Sequence, residues 1–221
     1  MNKLDISKIV QSRLKPSQFF AEKFPKKQIV LHHTVSNGNA NNVQSWWAKT
    51  PAKIGTAFII DGDGVIYQCF SSAEWCHHLG TKAKNNTTLN KESIGIEICN
   101  WGALTKGGYT NGKKWIDLDK NSFYSFSGTK IDSKEVVDYG EKWRGFQYFH
   151  KYNDKQIEAT RQLVEYLCDT YKIDKTYKPD MWYVSKDALS GKNGIYTHVS
   201  YRGDKSDCHK QPELIEMLKN I

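Results

Sequence analysis

The feature that most constrains the fold is the heptapeptide at residues 93–99, in which isoleucine alternates with small or polar residues. Successive side chains of a β-strand point to opposite faces, so the three isoleucines share one face and Gly95, Glu97 and Cys99 share the other. The alternation predicts a strand whose isoleucine face packs into a core. Glu97 then lies next to a glycine, which leaves room beside its carboxyl group. An edge strand with a solvated polar face would give the same pattern.

Other short segments are typical of strands and a hairpin. Apolar, β-branched runs predict strands at residues 28–31, 56–60, 65–70 and 194–199. The second and third of these flank the Asp-Gly-Asp-Gly sequence at residues 61–64, where glycine can supply the positive φ of a tight turn. The sequence therefore predicts a hairpin between these two strands.

Three segments of the sequence predict helices. Residues 42–49 predict a helix anchored by two adjacent tryptophans, after a turn-rich loop at residues 34–40. Asn153 begins a longer helix, with Gln156 three residues later as part of a capping box. Pro212 suits the first turn of a final helix.

We expect a single domain over residues 1–221, because this length suits one hydrophobic core and no internal repeat or low-complexity linker is visible. Residues 1–27 are a lead-in segment of mixed polarity. Residues 101–150 are rich in Gly, Lys, Trp and Tyr without a clean period, so we expect an irregular insertion with room for one hairpin.

Charge and cysteine content restrict the class of function. The net charge of +8 suits solubility or an acidic polymer as partner; no basic run with interleaved aromatics indicates nucleic acid, and an anionic bacterial envelope fits. No apolar run of about 18 residues predicts a membrane span, and the N-terminus lacks the apolar core of a secretion signal. Five cysteines, an odd number, fit a reducing compartment. We therefore expect cytoplasmic synthesis and no membrane insertion.

Four residues far apart in the sequence carry the candidate chemistry: His32, Glu97, His198 and Cys208. Two imidazoles and one thiolate are three ligands for a zinc ion that keeps its fourth position open, which is typical of catalytic rather than structural zinc. A carboxylate beside such a metal can act as general base on water. His33 is adjacent to His32 and points to the opposite face of a strand, so only one of them can join the metal. The combination predicts a zinc hydrolase.

These segments resemble the zinc-dependent N-acetylmuramoyl-L-alanine amidases, a family that includes phage endolysins, bacterial cell-wall amidases and animal peptidoglycan recognition proteins. The matching segments follow the family's order and lie at residues 29–34, 55–68, 75–80, 93–97 and 198–208. The resemblance implies an α/β fold with a central mixed sheet flanked by helices and zinc in a surface groove. It implies hydrolysis of the amide between N-acetylmuramic acid and L-alanine of peptidoglycan.

The resemblance also implies roles for individual residues. It implies that His32, His198 and Cys208 bind one Zn²⁺ and that Glu97 is the acid–base residue. Asp207 is an alternative to Cys208, because some members have an aspartate ligand there.

A catalytic lysine and the groove residues follow from the same resemblance. Many members place a lysine two residues before the last ligand; counted from Cys208 that position is Ser206, and Lys205 lies one residue earlier. We choose Lys205 for stabilisation of the oxyanion. The three residues that we assign to substrate binding are His78, with His77 as its competitor, Thr34 and Trp101.

The biological role implied is that of a phage-type endolysin, which would act on the cell wall after holin-type release, as a monomer. Three alternatives stay open. The chain could be a non-catalytic receptor-like module that binds peptidoglycan, or a cytoplasmic amidase that recycles soluble muropeptides. It could also be a cysteine peptidase that uses Cys208 and a histidine.

Overall fold

The structure, a computed structural model, describes residues 3–36 and 39–221. Its strands are β1 (Val10–Gln11), β2 (Gln28–His33), β3 (Phe58–Ile60), β4 (Ile66–Gln68), β5 (Ser93–Ile98), β6 (Ala103–Lys106), β7 (Gly108–Asn111), β8 (Lys114–Asp117), β9 (Phe123–Tyr124), β10 (Lys130–Ile131), β11 (Val136–Trp143), β12 (Phe146–His150) and β13 (Gly194–Thr197). Its α-helices are α1 (Ala40–Trp47), α2 (Asn86–Glu92), α3 (Asp154–Tyr171), α4 (Lys186–Leu189) and α5 (Pro212–Lys219).

The centre of the fold is a mixed sheet of six strands in the order β1-β4-β3-β5-β2-β13. Strands β3, β5, β2 and β13 run parallel to one another, whereas β4 pairs antiparallel with β3 through the predicted hairpin. Gly64 in the hairpin turn has a φ of 84°, which glycine adopts without strain. The predicted α/β fold, with a central mixed sheet flanked by helices, is confirmed.

The two faces of this sheet pack against different helices. On one face, Ile29 and Leu31 of β2 and the three isoleucines of β5 join α3 and α5 in the main hydrophobic core. On the other face, Val30 packs with side chains of α2 and α4 in a smaller cluster. Because side chains alternate along β2, His33 belongs to the face of α3 and His32 to the opposite face.

Helix α3 begins with the predicted capping box. The side chain of Asn153 accepts from the backbone N–H of Gln156 at 3.0 Å, and the side chain of Gln156 accepts from the backbone N–H of Asn153 at 3.3 Å. The amide of Gln156 also donates to the carbonyls of Cys99 at 2.6 Å and Asp61 at 3.3 Å. The start of α3 is therefore tied to the ends of β5 and β3.

The other helix predictions are also confirmed, with small differences at their ends. The helix predicted at residues 42–49 is α1, which begins two residues earlier, and α5 begins at Pro212. Of the loop predicted at residues 34–40, positions 37 and 38 lie outside the described residues. No helix in the described part of the chain is both long and apolar enough to span a lipid bilayer.

The insertion is more regular than the sequence predicted. Five strands form an antiparallel sheet in the order β10-β9-β6-β12-β11, and β7 and β8 form a separate two-stranded hairpin. The expectation of an irregular segment with one hairpin was therefore wrong. Several of these strands have two to four residues, and many side chains on them are exposed, so no apolar period marks them.

The lead-in segment contributes to the sheet and to its attachment. Strand β1 pairs parallel with β4 and forms an outer edge of the main sheet. Lys26 is only 4% exposed, and its ammonium group donates to the carbonyls of Glu74, Lys91 and Ser93 at 2.8, 2.7 and 3.2 Å. This buried lysine fastens the start of β2 to the start of β5.

Candidate active site

The candidate site lies at the carboxyl ends of three neighbouring parallel strands. His32 is the penultimate residue of β2, and Glu97 lies directly opposite it on β5. His198 follows the last residue of β13, which pairs with the other side of β2. Parallel strands end at the same edge of a sheet, where ligand sites of α/β folds commonly form. The topology therefore brings together three residues that are far apart in sequence.

One group of three side chains among the described residues could hold a metal ion: His32, His198 and Asp207. One ligand atom from each lies within 4.8 Å of the others. Oδ2 of Asp207 is 2.8 Å from Nδ1 of His198 and 3.4 Å from Nδ1 of His32. The structure thus brings together both predicted histidines and a carboxylate.

The outer nitrogens of the two imidazoles are held by consecutive residues of one loop. Nε2 of His198 donates to the carbonyl oxygen of Leu79 at 2.9 Å. Nε2 of His32 lies 3.0 Å from Nδ1 of His78. Histidines that bind metals usually have such a partner on the nitrogen that faces away from the ion. The Nδ1 atoms are left to face Asp207.

Burial determines the charges of the site. Burial and the nearby His198 lower the pKa of His32 to about 4, so its ring is neutral at pH 7 and has a lone pair for a metal. Burial would raise the pKa of Asp207, but His198 and His32 outweigh it and hold that pKa well below the usual range. Burial and the charge of Asp207 raise the pKa of Glu97 well above its usual range, against the effect of Lys205. The site has one carboxyl group that stays ionised and one that binds a proton readily.

The structure places Asp207, and not the predicted Cys208, beside the two histidines. Asp207 lines the groove, whereas the Cys208 side chain is 0% exposed and its Sγ lies 3.0 Å from the hydroxyl of Tyr152. Burial raises the pKa of the Cys208 thiol, which therefore stays protonated at neutral pH. A fully buried thiol with a raised pKa is unsuited to the nucleophilic role of a cysteine peptidase.

A buried polar network fastens the loop of Asp207 on the far side of the sheet. The hydroxyl of Tyr152 lies 2.8 Å from Nδ1 of His33 and accepts from the backbone N–H of His209 at 3.1 Å, in addition to its contact with Cys208. The neighbour of the candidate ligand His32 and the neighbours of Asp207 therefore meet at one hydroxyl group.

His209 extends this network into the insertion. Its Nε2 donates to the carbonyl oxygen of His150 at 3.0 Å, and its Nδ1 accepts from the hydroxyl of Tyr139 at 2.8 Å. Its ring also stacks on Phe149, with centroids 4.8 Å apart. Because these three partners lie on β11 and β12, the antiparallel sheet of the insertion supports the loop that carries Asp207.

The sequence of the chain matches a known protein family over most of its length. A family model described as N-acetylmuramoyl-L-alanine amidase matches residues 22–211. The chain belongs to this family. The predicted family and enzyme class are thereby confirmed, and the alternatives of a receptor-like module and a cysteine peptidase are not favoured.

Solved structures share the fold of this amidase. The structure of PlyL is 17% identical, with a TM-score of 0.54 and coverage of 96% of both chains. The PlyG catalytic domain is 18% identical, with a TM-score of 0.54 and coverage of 96% of this chain and 93% of its own. A mutant endolysin from Bacillus subtilis is 16% identical, with a TM-score of 0.51 and 96% of both chains covered. A comparison with curated protein sequences gives no significant match.

Lys205 lies two residues before Asp207 and lines the same groove as Glu97. Counted from Cys208, the expected lysine position of the amidase family fell on Ser206. With Asp207 in the group, Lys205 occupies that position without any adjustment. The lysine spacing was thus the sequence signal that favoured Asp207 over Cys208.

The site opens into a surface groove with a volume of about 720 Å³. The cations Arg202 and Lys205 and the apolar side chains of Trp46, Trp47 and Ile54 line it. The sequence analysis treated both tryptophans as anchors of α1 and did not single out Arg202 or Ile54. Adjacent residues of a helix face different directions, which is why Trp47 is buried and Trp46 is 60% exposed.

The predicted substrate-binding residues have different positions in the amidase. Thr34 and His77 line the groove, as does His78. Both ring nitrogens of His78, however, already bond other side chains of the protein. Among the described residues that line the groove, Trp101 is not present. It lies near Phe126 of the insertion, with ring centroids 6.2 Å apart.

We expect Tyr152→Phe to lower the free energy of unfolding by about 2 kcal/mol, because it leaves buried groups of His33, Cys208 and His209 without their shared partner. Urea denaturation monitored by fluorescence would measure the change. Tyr148→Phe is the matched control, since no hydrogen bond of that hydroxyl is present among the described residues. Equal stability of the two variants would contradict a supporting role for the network.

Proposed function

We propose that this amidase binds one zinc ion through His32, His198 and Asp207 and cleaves peptidoglycan as a phage-type endolysin. The observation that carries the proposal is the convergence of these three side chains beside Glu97 in a single groove. The scissile bond is the amide that joins the lactyl group of N-acetylmuramic acid to L-alanine.

The donor set suits catalytic zinc. Three protein ligands of the imidazole and carboxylate type leave a fourth position open for water or substrate. Nε2–H of His198 donates to the carbonyl oxygen of Leu79, so the nitrogen that faces the Asp207 carboxylate, at 2.8 Å, is Nδ1. This Nδ1 and the Asp207 carboxylate would together hold the metal ion.

Glu97 is proposed as the acid–base residue. Bound zinc would supply Lewis-acid chemistry by acidifying water and polarising the scissile carbonyl. Glu97 accepts a proton from the attacking water and donates it to the nitrogen of the leaving L-alanine. Its raised pKa suits the first step, because a carboxylate with a raised pKa is a stronger base toward the attacking water.

Lys205 is proposed to stabilise the oxyanion that forms when water attacks the carbonyl. It lines the groove with Glu97 and Asp207, two residues before the latter. A single preorganised donor of this kind is worth about 3 kcal/mol of the activation barrier. Thr34, with its side chain in the same groove, is proposed to contact the substrate.

The biological role that we propose for this amidase is that of an endolysin. A net charge of +8 favours an anionic wall polymer over small soluble fragments, and one structure of the same fold is described as an endolysin. We propose that the protein acts on the wall as a monomer, after release by a holin-type lesion.

Digestion of purified peptidoglycan, analysed by mass spectrometry with and without a zinc chelator, tests the activity. We expect release of stem peptides with a new free L-alanine amine, loss of this release with chelator, and recovery on addition of zinc. Release from soluble muropeptides but not from the polymer would replace the endolysin role by recycling. Zinc binding without cleavage of either substrate would favour a receptor.

The third ligand is tested by comparing adjacent substitutions. We expect Asp207→Ala to weaken zinc binding at least about tenfold, because it removes the carboxylate of the three-residue group. Cys208→Ser should keep the zinc content of the wild type after dialysis, measured by inductively coupled plasma mass spectrometry. The opposite result would restore Cys208 as the ligand.

Glu97→Gln should keep zinc and lose turnover by a factor on the order of 10²–10⁴, because the amide has the size of the carboxyl group but cannot transfer a proton. Initial rates of L-alanine amine release, together with zinc content, measure the two effects separately. Glu92→Gln is the control, since Glu92 pairs with Lys27 on the surface at 2.8 Å. Turnover of Glu97→Gln near that of the control would remove Glu97 from the mechanism.

A further inference from the structure

A chain of hydrogen bonds behind His32 has a defined direction. Its far end is the carbonyl oxygen of Leu89, which can only accept, so the hydroxyl of Ser93 donates to it at 2.6 Å. The single hydroxyl hydrogen of Ser93 is thereby used. Nε2 of His78, 2.8 Å from the same Oγ, must therefore carry the hydrogen of that bond.

The hydrogen of Nε2 on His78 also fixes the direction of the next hydrogen bond, between His78 and His32. A neutral ring with its hydrogen on Nε2 has a lone pair on Nδ1, which accepts from Nε2–H of His32 at 3.0 Å. The remaining nitrogen of His32, Nδ1, then has no hydrogen. This atom faces Oδ2 of Asp207 at 3.4 Å, where the third member of the group, His198, also presents its Nδ1.

The position of His78 is itself fixed from two directions. The side-chain oxygen of Asn90 accepts from the backbone N–H groups of both His78 and Leu79, at 2.8 and 3.1 Å. Gly95 lies under the ring, and a Cβ atom there would come within 3.1 Å of Nδ1 of His78. The glycine of the β5 heptapeptide therefore makes room for this imidazole.

We propose that His78 is a positioning residue, not a substrate-binding one, and that its Nδ1 keeps His32 in the tautomer whose Nδ1 lone pair binds the metal. This inference rests on the proposed zinc site. Removal of a partner that orients a metal-bound histidine typically weakens metal binding by a factor of about 10–100. Both ring nitrogens of His78 are engaged within the protein, so neither is free to bind substrate.

The decisive comparison is between His78→Leu and His78→Asn. The two side chains have similar size, but only Asn retains an acceptor near the position of Nδ1. We expect His78→Leu to bind Zn²⁺ about 10–100-fold more weakly than the wild type, measured by competition with a chromophoric chelator, and His78→Asn to regain most of the loss. His77→Leu, in the same loop, is the control and should retain wild-type zinc affinity.

Equal zinc affinities of His78→Leu, His78→Asn and the wild type would overturn the proposal. So would a loss of the same size in both His78 variants, since a general disturbance of the loop would then explain it. Circular dichroism establishes that each variant is folded. If His78→Leu does not fold, Ser93→Ala serves instead, because it removes one atom and frees the ring of His78 to change tautomer.

A second readout does not depend on zinc or on activity. Long-range ¹H–¹⁵N correlation spectra of the zinc-free protein report which nitrogen of His32 carries the hydrogen. We expect the Nε2–H tautomer in the wild type and a mixture in His78→Leu and Ser93→Ala. A wild-type Nδ1–H tautomer would refute the proposal even if zinc binds. Failure of the wild type to bind zinc, with the Nε2–H tautomer present, would refute the proposed function but leave the orienting contact in place.

Discussion

The parallel register between β2 and β5 is the constraint on which the site depends. Hydrogen-bonded neighbours in a sheet are held about 4.8 Å apart, so the pairing of His32 with Glu97 places the candidate ligand beside the proposed acid–base residue. A slip of one residue would turn His32 into the main core and His33 outward. Ile29 and Leu31 prevent this slip, because the slip would move both of these apolar side chains out of the main core.

Because side chains alternate along β2, His32 and His33 lie on opposite faces of the sheet and have different partners. His32 belongs to the candidate metal-binding group, while His33 contacts the hydroxyl of Tyr152 on the other face. The same hydroxyl contacts Sγ of Cys208 and the backbone N–H of His209, which follow Asp207 in its loop. The site is thus held from both faces of one strand.

Much of this arrangement could be predicted because its signals are local. The two-residue period of β5, the glycine turn of the β3–β4 hairpin and the capping box at Asn153 are each contained in a few residues, and each is confirmed. The match to the family then predicted that His32, Glu97 and His198 belong to one site.

The choice between Asp207 and Cys208 could not be made from local pattern. Both residues are chemically able to bind zinc, and what separates them is the contact of Cys208 with Tyr152, 56 residues away in the chain. The position of Trp101 depends on a similar contact, with Phe126 later in the insertion. Most strands of the insertion have only two to four residues, and their pairing depends on partners that lie outside any short sequence window.

The contacts of His209 have a consequence for attempts to shorten the protein. Both of its ring nitrogens bond groups of β11 and β12, and its ring stacks on Phe149. A truncated enzyme that lacked the antiparallel sheet would expose this imidazole and leave the adjoining loop without its support. The insertion is therefore an architectural brace of the catalytic unit, and a minimal enzyme for engineering would have to retain it or replace its buried polar partners.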